Sequence, residues 1–202
     1  MKGARSVLVI LLLLAGASTV ASSQEMTVPV DVQYPLLMKV FATTRGFAGR
    51  VGQELVIGIV YQPKFRRSVD ARDALVEAIG QVSTTPLESI PIRVVDCPLG
   101  DAAADPATVF GDTAIDLIYI APLRAVDVKM LTTFAGERPV MTCTGVPAYV
   151  DDGVTVGVDS KGNRPQILIN LAAAKTERIE FPHQLLQLAS VTLLNLSSIM
   201  RK

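Results

Sequence analysis

The sequence contains few of the residues that build catalytic or nucleic-acid-binding surfaces. Its 202 residues include no tryptophan, one histidine, two cysteines, four tyrosines and six phenylalanines. Only 19% of the residues are charged, and 19 basic residues balance 19 acidic ones, so the formal net charge is zero. A chain without a basic excess offers phosphate backbones no general attraction. These shortages predict that nucleic acid is not a partner.

Catalytic and metal-binding patterns are missing as well. The one histidine, His183, falls in the first turn of a predicted helix, and the chain has no Gly-x-Ser-x-Gly elbow to accompany a histidine base. Zinc needs several nitrogen or thiolate ligands, and calcium needs the alternating oxygen ligands of a binding loop. After the first predicted strand the chain reads Tyr61-Gln-Pro-Lys-Phe65 instead of the glycine-rich turn of a nucleotide site. We therefore predict a non-enzymatic protein without metal or cofactor.

The N-terminus has the three-part order of a secretory signal peptide. A short basic start precedes the apolar run Val7–Ala15, and small residues follow over Ala17–Ser23. The apolar run is too short for a permanent membrane anchor. We predict cleavage near residues 21–23, export to the periplasm, and a single domain over residues 24–202. Two cations leave with the signal peptide, residues 1–23, so the exported domain is slightly acidic.

Four short apolar runs rich in β-branched residues predict buried strands, and amphipathic segments between them predict helices. The strands are Glu54–Tyr61, Ile92–Asp96, Ile115–Ala121 and Arg138–Thr142, and the helices are Val69–Val82, Ala102–Gly111 and Arg124–Phe134. This alternation favours right-handed crossovers, which place the strands parallel and the helices on both faces. The prediction is an α/β fold: a three-layer αβα sandwich with a mostly parallel sheet of about four strands in the order 2-1-3-4.

The last third of the chain departs from this alternation. Gly153–Val158 and Arg164–Ile169 flank a turn that contains Gly and Asn, which predicts a β-hairpin. Asn170 is placed to cap a short helix over Leu171–Thr176, because its side-chain oxygen can accept hydrogen bonds from free backbone amides. A terminal helix is predicted from about Pro182 to Met200, since proline suits a first helical turn.

The two cysteines end the second and fourth predicted strands. In the order 2-1-3-4 these strands are three positions apart, which is roughly 14 Å at about 4.8 Å per strand. A disulfide needs α-carbons within roughly 7 Å. Although an exported chain can be oxidised, this spacing predicts that Cys97 and Cys143 stay unpaired.

Two surfaces are candidates for binding. Parallel α/β sheets bind ligands at the carboxyl ends of their strands. The residues expected there are Tyr61, Gln62, Arg124, Thr144 and Gly145, with Arg124 as the anion contact. The alternative is that Tyr61 packs internally and Arg124 is only solvated.

The predicted terminal helix is the second candidate surface. Most of its apolar residues should pack inward, but they cover more than one helix face. The excess predicts contact with a partner or a second copy of the chain. The residues that form it are Leu193, Leu196, Ile199 and Met200.

Three motifs in the C-terminal third resemble the YfiR family of periplasmic proteins. Gly153–Val158 precedes the strand and alanine-rich turn Pro165–Ala174, and the segment Gln184–Ala189 reads Gln-Leu-Leu-Gln-Leu-Ala. The family carries a strand that ends in Asn-Leu, an alanine-rich helical turn and a Leu-Leu-x-Leu-Ala helix. The resemblance extends over about residues 34–193.

This resemblance implies a regulatory function. YfiR-like proteins are exported and non-catalytic, and they repress a membrane diguanylate cyclase by binding its periplasmic sensor domain. The expected consequence is lower cyclic di-GMP signalling and less biofilm. A homodimer is the other association that the apolar excess of the terminal helix predicts. The alternative is a periplasmic small-ligand sensor that uses the carboxyl ends of the parallel strands.

Overall fold

Strands and helices alternate along the chain, as the apolar runs predict. A computed structural model describes residues 25–81, 90–100, 106–111, 113–138, 140–188 and 191–194. The helices are α1 Val30–Thr43, α2 Phe47–Arg50, α3 Arg66–Gln81, α4 Pro106–Phe110, α5 Val128–Gly136, α6 Ala148–Asp151, α7 Leu171–Thr176 and α8 His183–Leu186. The strands are β1 Leu55–Tyr61, β2 Ile92–Pro98, β3 Leu117–Ile120, β4 Met141–Thr144, β5 Val156–Lys161, β6 Arg164–Asn170 and β7 Val191–Leu194.

The strands form one sheet in the order β2-β1-β3-β4-β5-β6-β7. The first five positions are parallel, β6 runs antiparallel to β5, and β7 runs parallel to β6. The predicted order 2-1-3-4 is confirmed. The predicted hairpin is β5–β6, and it extends the same sheet because β5 pairs with β4.

Side chains along each strand alternate between two cores. From β1, Leu55, Ile57 and Ile59 pack with α1 and α3 on one face of the sheet. Val56 and Val60 pack with α5 on the opposite face. Successive strand residues point to opposite faces, so apolar runs without polar alternation are what a sheet covered on both faces requires. The predicted three-layer sandwich is confirmed.

The helix cap predicted at Asn170 is present. Its side-chain oxygen accepts hydrogen bonds from the backbone N–H groups of Ala172 and Ala173 at 3.1 and 3.0 Å. Its Nδ2 donates to the carbonyl of Val150 at 2.8 Å. One buried side chain therefore starts α7 and also ties it to α6.

The predicted terminal helix over Pro182–Met200 is wrong in the part that the structure describes. Only the four residues of α8 are helical there, and Val191–Leu194 forms β7 instead. The reason is tertiary: the outer side of β6 presents unpaired backbone groups, and a segment with β-branched residues can pair with them. A strand paired with β6 is therefore more stable here than the helix that the spacing of the leucines predicts.

One other boundary differs from the sequence patterns, and one helix was not among them. That helix, α1, begins at Val30, where the Pro29 carbonyl accepts hydrogen bonds from the N–H groups of Val32 and Gln33. β4 begins at Met141, three residues later than the predicted Arg138. The predicted signal peptide lies outside the described residues, and none of the described helices is long and apolar enough to cross a bilayer.

Cys97 lies on β2 and Cys143 on β4, so β1 and β3 stand between them. Both thiols are free and both residues are 0% exposed. Burial raises the pKa of Cys97 to about 11 and that of Cys143 well above its ordinary value. Because the thiolate is the reactive form, both groups should be inert in the folded protein.

We expect a thiol titration without reductant to find two reactive groups per chain in denaturant. In the native state the same titration should find almost none within minutes, because reaction must wait for unfolding. A result of zero thiols in denaturant would show that Cys97 and Cys143 form a disulfide. Rapid reaction of the native protein would contradict their burial.

Candidate functional site

Gln62 stands at the carboxyl end of β1 and joins it to the loop after β3. The Arg124 N–H donates to Gln62 Oε1 at 2.6 Å, and Gln62 Nε2 donates to the Arg124 carbonyl at 3.1 Å. The Gln62 N–H donates to Ser68 Oγ at 2.8 Å. Both ends of the buried amide are therefore engaged within the protein, whereas the Arg124 side chain is exposed.

A tyrosine hydroxyl holds the same loop from the other side. Tyr149 Oη accepts a hydrogen bond from the Leu123 N–H at 2.8 Å and donates to the Leu123 carbonyl at 3.2 Å. Burial is the main cause that raises the pKa of Tyr149, so the hydroxyl keeps the proton that it donates. Gln62 and Tyr149 together fix the backbone of Leu123 and Arg124.

Thr144 and Gly145 end β4 beneath helix α1. Thr144 Oγ1 donates to the Ile120 carbonyl at 2.8 Å and accepts from the Val146 N–H at 3.0 Å. A Cβ added at Gly145 would lie 2.3 Å from Gln33 Oε1, so the glycine leaves room for that side chain. Gln33 in turn accepts from the Tyr119 hydroxyl at 3.0 Å and donates to the Val28 carbonyl at 2.5 Å. The buried Gln33 side chain therefore packs against Gly145 and covers the carboxyl end of β4.

Tyr61 is half-buried and lies apart from these contacts. The guanidinium of Arg72 sits over its ring, 5.6 Å from the centroid. Arg72 Nε also donates to Asp96 at 2.9 Å, which anchors the cation there. The structure thus brings together Gln62 with the Arg124 backbone, and Thr144 with Gly145, but does not gather the five predicted residues around one cavity.

A shallow cleft does exist at this edge, on the side of α3. Its volume is about 460 Å³, and its lining includes the apolar residues Met26, Val30, Ala71 and Pro122. Arg67, which also lines the cleft, is ion-paired with Glu25. None of the five predicted ligand residues is among its lining residues.

The second predicted surface is only partly described. Leu193 lies in β7, opposite Ile169 of β6, and is 42% exposed. Leu196, Ile199 and Met200 lie outside the described residues. β7 is the last strand in the sheet order, so Leu193 stands at an edge of the described sheet.

Glu177, like Gln33, is a buried polar residue that the sequence did not reveal. It follows α7 and is 1% exposed. Its carboxylate accepts hydrogen bonds from Thr142 Oγ1 at 2.6 Å, the Thr142 N–H at 3.1 Å and Thr155 Oγ1 at 2.5 Å. Burial nevertheless raises the pKa of Glu177 to about 7, although these hydrogen bonds lower it. No spacing in the sequence brings these three residues together, because they meet only through sheet register.

A family described as YfiR/HmsC-like matches residues 60–190 of the chain. No curated protein matches it. A conserved domain protein from Vibrio cholerae is 16% identical, with a TM-score of 0.59 over 83% of this chain and 60% of its own. The ABC domain in complex with L-Trp from Streptococcus pneumoniae is 13% identical, with a TM-score of 0.55 over 82% and 60%.

A third solved structure extends this likeness. The ligand-free, open substrate-binding protein with adhesive properties from Clostridium difficile is 14% identical, with a TM-score of 0.50 over 79% of this chain and 58% of its own. At such identities the likeness concerns the fold alone. The chain spans about 60% of the length of these structures, which are similar in their α/β architecture.

We expect the unfolding free energy to fall as pH rises from about 4.5 to about 7 because of Glu177. A carboxyl whose pKa is raised in the folded protein binds its proton more tightly there, so the folded state loses stability on ionisation. A folded-state pKa near 7 corresponds to about 3 kcal/mol between these limits. The Glu177→Gln variant stays neutral and should lack that fall in urea unfolding measured at several pH values.

The matched control for this pH dependence is Glu180→Gln, which removes an exposed carboxyl three residues away. It should keep the fall seen in the parent protein. An equal pH slope in Glu177→Gln and the parent would contradict a raised pKa at Glu177.

Gly145→Ala should destabilise the protein by about 2 kcal/mol, since overpacking of a filled site costs energy. The new methyl group would displace Gln33 and break its hydrogen bond with Tyr119. The control is Gly80→Ala in α3, where no described atom lies within 4 Å of the new Cβ and stability should rise by about 0.5 kcal/mol. Urea denaturation of the two variants measures both effects, and equal stabilities would refute the role of Gly145.

Proposed function

The chain belongs to the YfiR/HmsC-like family, and on that premise we propose that it is an exported, non-catalytic repressor of a membrane diguanylate cyclase. It would bind the periplasmic sensor domain of the cyclase and so lower cyclic di-GMP signalling. The observation that carries this proposal is the family match over residues 60–190, which includes β2 to β6 and part of each of the two cores. The family suggests a periplasmic regulator, and the identity of the target as a cyclase is our proposal.

The internal hydrogen bonds of the carboxyl edge support action through the outer surface. Ligands of parallel α/β sheets usually meet free polar groups at this edge. Here the side chains of Gln62 and Thr144 bond to backbone groups of their own chain. Their arrangement supports a rigid scaffold whose surface another protein recognises.

We propose the outer edge of β7 as the contact with the cyclase. Leu193 is 42% exposed there, and nearby Leu188 is 51% exposed. In the described chain no strand pairs with the outer side of β7, which leaves backbone donors and acceptors for an incoming strand. A partner can therefore gain both an apolar contact and sheet hydrogen bonds. A homodimer through the same edge is the competing outcome.

Small-ligand binding at the carboxyl edge is the second candidate function. The cleft of about 460 Å³ beside α3 favours it, because it combines apolar residues with the charged residues Glu25, Arg67 and Asp70 at the expected edge of the sheet. A shift in melting temperature with a metabolite that Arg67→Gln abolishes would support this function. No shift across a broad panel would count against it.

Leu193→Arg should abolish repression while the protein stays folded. In cells that lack the gene, the parent protein should lower cyclic di-GMP several-fold, and the variant should leave it high, because a charge on the edge strand opposes apolar docking. The control is Val76→Arg on α3, which changes another exposed apolar residue and should repress normally. Melting temperatures of both variants test folding.

Three outcomes of this experiment are decisive. Full repression by Leu193→Arg would overturn β7 as the contact surface. A parent protein that leaves cyclic di-GMP unchanged would overturn the proposed function itself. If Leu193→Arg melts early, Leu193→Thr replaces it, since threonine keeps strand propensity and removes most of the apolar contact.

A further inference from the structure

The segment before α1 crosses the carboxyl edge of the sheet. We call it the strap, and it comprises residues Glu25–Pro29. Glu25 is ion-paired with Arg67 in the first turn of α3, and Thr27 Oγ1 donates to Asp159 Oδ1 of β5 at 2.9 Å. In the sheet order, β3 and β4 lie between β1, which leads into α3, and β5. The strap therefore passes over the ends of the central strands.

Met26 connects the strap to the interior. Its side chain packs against the cores on both faces of the sheet. Its sulfur accepts hydrogen bonds from Gln33 Nε2 at 3.6 Å and from the Tyr119 hydroxyl at 3.7 Å. The residue is only half-buried, and it also lines the shallow cleft of about 460 Å³ beside α3. This thioether is therefore an internal contact of the strap that a small molecule in the cleft can reach.

We propose that Met26 is a site of reversible oxidation by peroxides, and that its sulfoxide releases the strap from the carboxyl edge. A sulfur lone pair attacks one oxygen of hydrogen peroxide, and the O–O bond breaks. The departing hydroxide takes the proton of the transferred hydroxyl and leaves as water. The thioether thus loses an electron pair to the peroxide and gains one oxygen. Sulfoxide reductases restore the thioether, so the change is reversible.

The other methionines differ from Met26 in position. Met38 and Met141 are 3% and 0% exposed, so an oxidant reaches them only when the protein opens. Met130 of α5 is half-buried like Met26, but it packs against the core on the opposite face of the sheet from α1. The two remaining methionines lie outside the described residues. Met130 is therefore the matched comparison for an oxidation that leaves the strap untouched.

The hydrogen bonds to the Met26 sulfur explain why a sulfoxide would not fit. At 3.6 and 3.7 Å, the donor atoms of Gln33 and Tyr119 are already in contact with the sulfur. The added oxygen takes the place of a lone pair, so it occupies space on the side where such donors lie, and the side chain must withdraw. The sulfoxide is also polar, which weakens its packing against two apolar cores. The Tyr119 hydroxyl donates to Gln33 Oε1 at 3.0 Å as well, so it keeps a partner when Met26 leaves.

The remaining contacts of the strap are too weak to hold it without Met26. The side chains of Arg67 and Glu25 are 62% and 58% exposed, and an exposed ion pair contributes about 0.5 kcal/mol. Val28 is buried, but its carbonyl accepts a hydrogen bond from the same Gln33 Nε2 that donates to Met26. A shift of Met26 therefore also disturbs the bond that holds Val28.

The first measurement locates the oxidation. Purified protein is treated with dilute hydrogen peroxide, and tandem mass spectrometry assigns each added oxygen. Fragment ions are needed because Met26 and Met38 share a tryptic peptide that ends at Lys39. We expect Met26 to be oxidised about tenfold faster than Met38 and Met141, because susceptibility follows exposure.

The second measurement tests release of the strap. Amide hydrogen exchange is compared over residues 26–33 before and after oxidation. This range includes the N–H groups of Val32 and Gln33, which donate to the Pro29 carbonyl at the end of the strap. Exchange should rise about tenfold in the oxidised protein, since the strap opens more often. Treatment with the two sulfoxide reductases, one for each epimer, should restore the slow exchange.

Variants connect the two measurements. Met26→Leu keeps the apolar volume, so it should exchange like the parent protein and should not respond to peroxide. Met26→Gln places a polar side chain of similar length in the same position, and its strap should exchange rapidly without any oxidant. The control is Met130→Leu, which should keep the full response of the parent. Melting temperatures show that each variant is folded.

Three results would overturn this proposal. The first is oxidation of Met26 no faster than that of Met38. The second is exchange over residues 26–33 that stays unchanged or becomes slower when Met26 carries the oxygen, which would mean that the sulfoxide holds the strap. The third is a peroxide response in Met26→Leu equal to that of the parent. Every readout uses the purified protein without a cyclase, so this proposal and the proposed function fail separately.

Discussion

Burial of the central strands on both faces is the constraint on which the rest of the structure depends. In β1 every residue from Leu55 to Val60 is buried, and the neighbouring β3 is buried throughout. Each aliphatic side chain removed from water in this way stabilises the fold by about 2 kcal/mol. A sheet that is covered by helices on both sides has only its strand ends and its outermost strands available to other molecules. The sheet itself can therefore meet other molecules only at those margins.

The two ends of the parallel strands are built differently. At the carboxyl end, the side chains of Gln33, Gln62 and Tyr149 form hydrogen bonds with other groups of the chain. These bonds satisfy buried donors and acceptors and fix the adjacent loops. At the amino end, Arg138 and Arg178 face a cleft without carboxylate partners in the described chain. The general rule places ligands of α/β sheets at the carboxyl end. Here the buried polar groups at the carboxyl end are already engaged within the chain, so the rule does not by itself locate a binding site.

Much of the fold could be predicted from the sequence because it follows from local patterns. β-branched runs indicate buried strands, and Asn170 before an alanine-rich segment indicates a capped helix, whatever the rest of the chain does. The terminal strand β7 could not be predicted in this way. Its leucines have helical spacing, and only the open side of β6 makes a strand more favourable. The spacing of apolar residues along the sequence does not show that a strand such as β6 is available for pairing.

The sites were harder to predict than the fold for the same reason. Gln62 and Thr144 were correctly placed at strand ends, but their hydrogen-bond partners, the Arg124 backbone and the Ile120 carbonyl, come from other parts of the chain. Glu177 bonds to Thr142 and Thr155 only because β4 and β5 pair in one particular register. Sequence indicates which residues reach an edge of the sheet. It does not indicate whether their polar groups are still free there.

The position of Glu177 also bears on how the margins of the sheet can communicate. Arg178 follows Glu177 directly, and α7 connects both to the end of β6, the strand that pairs with β7. A ligand changes a distant contact only as far as it binds two arrangements of the intervening structure with different affinity. The shortest such structure here is the turn at Glu177 and Arg178, which combines a buried carboxyl with a left-handed backbone. Glu177 fixes this turn to Thr142 of β4 and to Thr155, the residue before β5.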